Sequence, residues 1–96
     1  MQILFLQYPP LEDGVEVEVK QPVKYENKSI YYGEWDIKNM KRHGRGILLW
    51  SDGSKFQGYF KDDKVNIRGK LIHSEGNYYE GEWVNDKVEG IYIHIY

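Results

Sequence analysis

Tyr31-Tyr32-Gly33-Glu34-Trp35 recurs as Phe56-Gln57-Gly58-Tyr59-Phe60 and again as Tyr79-Glu80-Gly81-Glu82-Trp83. The shared pattern is aromatic-x-Gly-x-aromatic. From Gly33 to Gly58 is 25 residues and from Gly58 to Gly81 is 23. Recurrence at a short, near-constant period marks a repeat array, in which each unit packs on its neighbours. Such arrays build surfaces for partners more often than pockets for chemistry.

A second element follows the first two copies in the same phase. It reads Gly46-Ile47-Leu48-Leu49-Trp50-Ser51-Asp52-Gly53 and then Gly69-Lys70-Leu71-Ile72-His73-Ser74-Glu75-Gly76. In both, the turn glycine stands seven residues after the leading glycine. Trp35 to Gly46 spans 11 residues and Phe60 to Gly69 spans 9, which places the two extra residues of the first copy in its first turn. Insertions in arrays collect in loops. Each unit reads as aromatic strand, turn, apolar strand, then an Asp-Gly or Glu-Gly turn.

Side chains alternate between faces along a strand. Tyr31, Gly33 and Trp35 therefore share a face, as do Phe56, Gly58 and Phe60, and Tyr79, Gly81 and Trp83. A glycine inside a strand costs stability, so its recurrence needs a reason. Without a Cβ the backbone leaves a slot over which a ring can lie. Leu48 and Trp50 are in phase with Gly46, and Leu71 and His73 with Gly69, so they supply partners on that face. No window keeps a helical apolar stripe, and glycines recur too often for helices. The expectation is an all-β chain: an elongated, single-layer antiparallel meander of hairpins, with Gly53 and Gly76 at positive φ in tight turns.

The start of the chain is less regular. Val15, Val17 and Val19 alternate with charged residues as an amphipathic strand, preceded by an Asp13-Gly14 turn. Val23 to Tyr31 reads as a degenerate half-repeat in which Asn27-Lys28 aligns with Asp52-Gly53. Residues 1–24 are expected to be a cap or anchoring arm and residues 25–96 the array, since terminal repeats are atypical.

Composition bounds the function. At 96 residues the chain is one domain or a piece of a longer protein. A net charge of −2 gives no field suited to nucleic acid. The absence of cysteine removes disulfides and thiolate metal sites. Residues Met1 to Leu6 are apolar but short, lack a basic start and run into Pro9-Pro10, unlike a signal peptide or a membrane span. An intracellular, cytoplasmic protein is expected.

These residues resemble the MORN (membrane occupation and recognition nexus) repeat. Its unit is Tyr-x-Gly-x-Trp, a polar turn, Gly-x-Gly, an apolar strand and an Asp-Gly turn. Here that is Tyr31 to Trp35, Gly44-Arg45-Gly46 and Asp52-Gly53, with echoes over about three repeats in residues 25–96. Ile67 replaces the first glycine of Gly-x-Gly in the second copy, Tyr92 replaces the second in the third, and Phe56 and Phe60 stand for tyrosine and tryptophan. The resemblance implies a non-catalytic scaffold that binds other proteins of a larger assembly. The family's distribution favours a cytoskeletal or ciliary, axonemal setting. The alternative it implies is a membrane-proximal adaptor binding anionic phospholipid or a lipid enzyme. A third reading is the targeting region of a longer enzyme.

Signs of chemistry are few. A metal site would need convergence of His43, His73 and His94, and no clear third ligand joins the two that could meet, His73 and His94. Asp62 and Asp63 lie in a turn between Lys61 and Lys64, without the enclosure that raises one pKa of a catalytic pair. Gly44-Arg45-Gly46 lacks the following helix of a phosphate loop. No enzyme activity, cofactor or small-molecule substrate is expected. Lys38, Lys41, Arg42 and Arg45, with His43, form a basic cluster at the first turn, a candidate anion site. Four cations at an anionic membrane could contribute about 1 kcal/mol each, against the ordinary reading of a solvated hairpin tip.

The final run Gly90-Ile91-Tyr92-Ile93-His94-Ile95-Tyr96 is apolar or aromatic on both faces. Ile91, Tyr92, Ile93, Ile95 and Tyr96 form a candidate partner edge, because an edge strand without proline, lysine or acid invites strand addition. The expectation is that further repeats or a partner cover it.

Overall fold

Eight strands account for most of the described residues. The computed structural model describes residues 8–95, with side chains to residue 87. The strands are β1 (Val17–Val19), β2 (Val23–Lys24), β3 (Ile30–Asp36), β4 (Lys41–Leu49), β5 (Lys55–Lys61), β6 (Lys64–Ile72), β7 (Tyr78–Val84) and β8 (Lys87–Ile95). They form one sheet in the order β1-β3-β4-β5-β6-β7-β8, with β2 also on β3, and every pairing is antiparallel. From β3 onward each strand pairs with the next, so the sheet is the expected meander. Among the described residues there is no helix.

Two kinds of turn alternate. At one end, Tyr25, Trp50 and His73 each open the same loop. Their N–H groups donate to the carbonyls of Ser29, Ser54 and Asn77 at 2.8, 2.9 and 2.9 Å. In return their carbonyls accept from Lys28, Gly53 and Gly76 at 2.9, 3.1 and 2.9 Å. Those three residues have φ of 71°, 92° and 104°, so Asn27-Lys28 does stand where Asp52-Gly53 stands. At the other end, Asp62-Asp63 and Asn85-Asp86 make two-residue turns with both φ values positive, the type I′ geometry that matches strand twist. The β3–β4 turn runs over 37–40 and so carries the two extra residues.

The β3–β4, β5–β6 and β7–β8 hairpins each contain a bulge, whereas β4–β5 and β6–β7 pair in unbroken register. Gly33 faces Gly46 but Trp35 faces Arg42; Gly58 faces Gly69 but Phe60 faces Val65. The second strand thus gains two residues, with Gly44 at φ 100° in the first repeat and Ile67 at φ 70° in the second. The third hairpin shifts between Gly81 and Glu82.

The paired glycines seat rings. The Tyr31 ring lies over Gly33 and Gly46, and a Cβ at Gly33 would stand 2.8 Å from Tyr31 Oη. Phe56 lies likewise over Gly58 and Gly69, with 2.9 Å from a Gly58 Cβ to Phe56 Cζ. Edge-to-face contacts then run Trp35–Tyr31 (5.2 Å), Tyr31–Phe60 (5.0 Å), Phe60–Phe56 (5.5 Å) and Phe56–Trp83 (5.4 Å). Each glycine-seated ring touches the second aromatic of its own repeat and of the next. Such pairs contribute about 0.5–1.5 kcal/mol beyond burial, so the ladder couples the repeats. Leu48 and Val65 complete this buried cluster.

Tyr79 departs from the pattern. It is half-buried, stacks edge-on with His73 at 5.4 Å and stands outside the buried cluster. Within the β7–β8 hairpin Gly81 faces Tyr92 rather than a glycine, so the hairpin lacks the glycine pair of the first two.

Candidate functional site

The aromatic face carries a groove of about 400 Å³. Its apolar walls include Leu48, Trp50, Phe56, Leu71 and Trp83, and its charged members are Arg42, Asp63 and Asp86. Tyr31, Trp35, Phe56, Phe60 and Trp83 are 0–8% exposed. The accessible walls are the half-buried Trp50 and Leu71. Trp83 Nε1 donates to the Gly69 carbonyl at 3.3 Å, whereas buried Trp35 Nε1 has no acceptor. The strand that should provide one is interrupted: Val19 faces Glu34, Val23 faces Tyr31, and residues 20–22 leave the ladder between them.

The basic cluster divides. Only Lys38 lies in the β3–β4 turn, while Lys41, Arg42, His43 and Arg45 belong to β4 and so not to a hairpin tip. Arg42 Nη2 donates to the Asp63 carbonyl at 2.6 Å, and the guanidinium lies over Phe60, Tyr31 and Tyr25 at 5.2, 5.8 and 5.6 Å. Arg45 binds Glu34 on the other face, through Nε to Oε1 at 3.1 Å and Nη2 to Oε2 at 2.9 Å. That contact raises the Arg45 pKa. Lys38 and Lys41 remain exposed, and Lys41 joins Lys61 and Lys64 around a shallow polar depression shared with Asp62.

Asp63 and Asp86 do more than turn the chain. Asp63 Oδ1 accepts the Arg42 N–H at 2.8 Å, and the Arg42 carbonyl accepts the Asp63 N–H at 3.0 Å. One repeat on, Asp86 Oδ1 accepts the Val65 N–H at 2.7 Å and the Val65 carbonyl accepts the Asp86 N–H at 2.8 Å. Each type I′ turn thereby closes the bulged strand of the repeat before it. The sequence carried a signal for this, an aspartate 21 residues after each capped position, Arg42 and Val65.

The second face is covered by a segment absent from the expected site. Residues 8–14 cross it before β1 begins. Tyr59 Oη donates to the Pro9 carbonyl at 2.6 Å, and Arg45 Nη1 to the Tyr8 carbonyl at 3.2 Å. The Tyr8 ring meets Tyr59 edge-on at 5.5 Å and lies under the Arg68 guanidinium at 5.3 Å. His43, 2% exposed, holds Asp13 Oδ2 at 2.6 Å and receives the Asp62 N–H at 3.4 Å. The signal available was Tyr59, which stands where the other copies have Glu34 and Glu82.

Among the described residues no three His, Asp or Glu side chains gather as metal ligands. His43 is engaged as above, His73 packs on Tyr79, and the His94 side chain lies outside the described residues. So do the side chains of Ile91, Tyr92, Ile93 and Ile95, and all of Tyr96; β8 (Lys87–Ile95) is last in the sheet order.

Among curated proteins none matches the chain. The family model of the MORN repeat matches residues 31–55 and 79–93. The stretch between these segments contains the copy with Phe56, Phe60 and Ile67, yet it folds into the same bulged hairpin. Matched motif, glycine-seated rings and hairpin meander agree: residues 31–55 and 79–93 are similar to the MORN repeat in both sequence and fold.

Proposed function

We propose that this chain is a non-catalytic scaffold subunit that binds a partner protein along the groove of its aromatic face. MORN repeats generally mediate protein–protein or membrane and lipid interactions, and the family is generally non-catalytic. The observation that carries the reading is the groove itself, with apolar walls of Trp50, Leu71 and Trp83 and charged Arg42, Asp63 and Asp86 beside them. Apolar anchors flanked by polar groups are the usual make-up of a protein interface. The assembly is proposed to be cytoskeletal or ciliary, on the family resemblance. The test is co-purification of the tagged chain from ciliated cells, beside Leu71→Glu. Identified axonemal or cytoskeletal proteins that depend on Leu71 support the proposal. An unchanged set of co-purified proteins with the folded Leu71→Glu chain overturns it.

The second reading, an anionic membrane surface, is favoured by the exposed lysines Lys38, Lys41, Lys61 and Lys64 at one end of the sheet. Asp62 beside them offsets part of the charge, so binding is expected to be weak and lost in high salt. Flotation with phosphatidylserine vesicles that persists in high salt would contradict that expectation. No helix among the described residues is long and apolar enough to cross a membrane.

A further inference from the structure

The segment crossing the second face is held by contacts that any chain of like chemistry could make. Two are hydrogen bonds to main-chain carbonyls, those of Tyr8 and Pro9. One is an aromatic ring seated on Tyr59 beneath Arg68. The last is a carboxylate on a buried histidine, four residues beyond Pro9. Pro9 and Pro10 are exposed, so their part is to stiffen the segment into an extended form that presents carbonyls and lacks N–H donors. Tyrosine hydroxyls that donate to the carbonyls of a proline-bearing segment recur in grooves that bind extended peptides.

The resident segment is also an imperfect occupant. Tyr8 is 2% exposed, and its hydroxyl is buried without a hydrogen-bond partner. Leaving such a group unsatisfied costs more than omitting it. A phenylalanine would fill the same place without that cost. The site centres on the middle repeat, where Tyr59 takes the position of Glu34 and Glu82.

We propose that the second face is a docking site for an extended partner segment of the form Phe-Pro-Pro-x-x-Asp, and that residues 8–13 are its built-in competitor. The site is distinct from the groove on the aromatic face. A partner gains access by displacing residues 8–13, so the chain's apparent affinity is set by how firmly they sit.

The probe is a fluorescent hexapeptide, Phe-Pro-Pro-Leu-Glu-Asp, titrated into the full chain and followed by anisotropy. Loosening the resident segment with Tyr8→Ala and Asp13→Ala is expected to tighten peptide binding about tenfold. Adding Tyr59→Phe to that variant is expected to weaken it roughly fivefold, the effect of one hydrogen bond. A tyrosine-led peptide should bind less tightly than the phenylalanine-led one. If the loosened chain melts cooperatively yet binds no peptide, or if Tyr59→Phe leaves binding unchanged, the proposal is wrong. Should the loosened chain fail to fold, Tyr8→Phe in the native chain decides. It is expected to raise the melting temperature and weaken peptide binding, and a lower melting temperature overturns the proposal.

Discussion

Positions 44 and 67 are equivalent in the repeat, yet one is glycine and the other isoleucine, and both have positive φ. The difference is explained by a neighbour. A Cβ at Gly44 would stand 2.6 Å from Glu34 Oε1, the oxygen that accepts the Arg45 N–H at 2.7 Å. In the second repeat Tyr59 replaces that glutamate and turns away to the Pro9 carbonyl. Space for a side chain at position 67 follows. The backbone conformation is still unfavourable, since a β-branched residue in the left-handed region is an outlier that costs about 1–3 kcal/mol. Ile67 is 41% exposed, so little burial is lost on its removal. Ile67→Gly is therefore expected to raise stability by about 1 kcal/mol, after the entropic cost of glycine, as a higher urea midpoint with unchanged slope. Gly44→Ala is expected to do the reverse by about 1–3 kcal/mol, through strain and the collision with Glu34. Equal responses at the two sites would show that the glutamate-to-tyrosine exchange does not control this position.

Hairpins in this sheet are joined by more than ladder hydrogen bonds. The aromatic ladder links repeats on one face, and the aspartates of the type I′ turns link them at one end. An Asp86 carboxylate removed as Asp86→Ala leaves the Val65 N–H without its acceptor in a buried residue, which costs about 1–3 kcal/mol. The expected result is faster amide exchange at Val65, by roughly tenfold, with Arg42 unaffected because Asp63 still caps it. Asp63→Ala should show the mirror image. If either variant speeds both amides equally, the turns do not act repeat by repeat. This linkage was only half legible in the sequence. Gly53 and Gly76 declared their turns through residue type, because only glycine adopts those φ values without strain. Asp62-Asp63 reads as an ordinary polar turn between lysines, and the capping role of Asp63 and Asp86 depends on a neighbouring hairpin that local spacing does not reveal.

The two faces of the molecule differ in how they were written. The aromatic face follows from a pattern of five residues repeated in phase, so parity alone locates it. The second face depends on one departure from the pattern, Tyr59, and on a segment 50 residues away from it. No periodicity connects Tyr8 to Tyr59 or Asp13 to His43, and residues 8–14 read as an irregular arm for that reason. The Asp13 contact gives this face a dependence on pH. The hydrogen bond from His43 is the main cause that holds the Asp13 carboxyl below its ordinary value of 3.8. On the same face Arg45 and Glu34 pair with each other, and Arg68 lies over the Tyr8 ring, beside Lys70 and Glu80. A carboxyl with a lowered folded pKa contributes stability that is fully present above the unfolded value and is lost as pH falls through the folded one. With the Asp13 side chain 25% exposed, the contribution is discounted for solvent to about 1 kcal/mol. Asp36 and Asp52 are also held low, by hydrogen bonds from Asn39 and Ser54, and they titrate alike in any comparison that leaves them intact. The stability gap between the native chain and Asp13→Ala is therefore expected to be open at neutral pH and to close as pH drops below 3.8. Chemical denaturation of both chains across that range measures it. A gap that persists in strong acid, or that is absent at neutral pH, would show that Asp13 does not anchor residues 8–14 to the sheet.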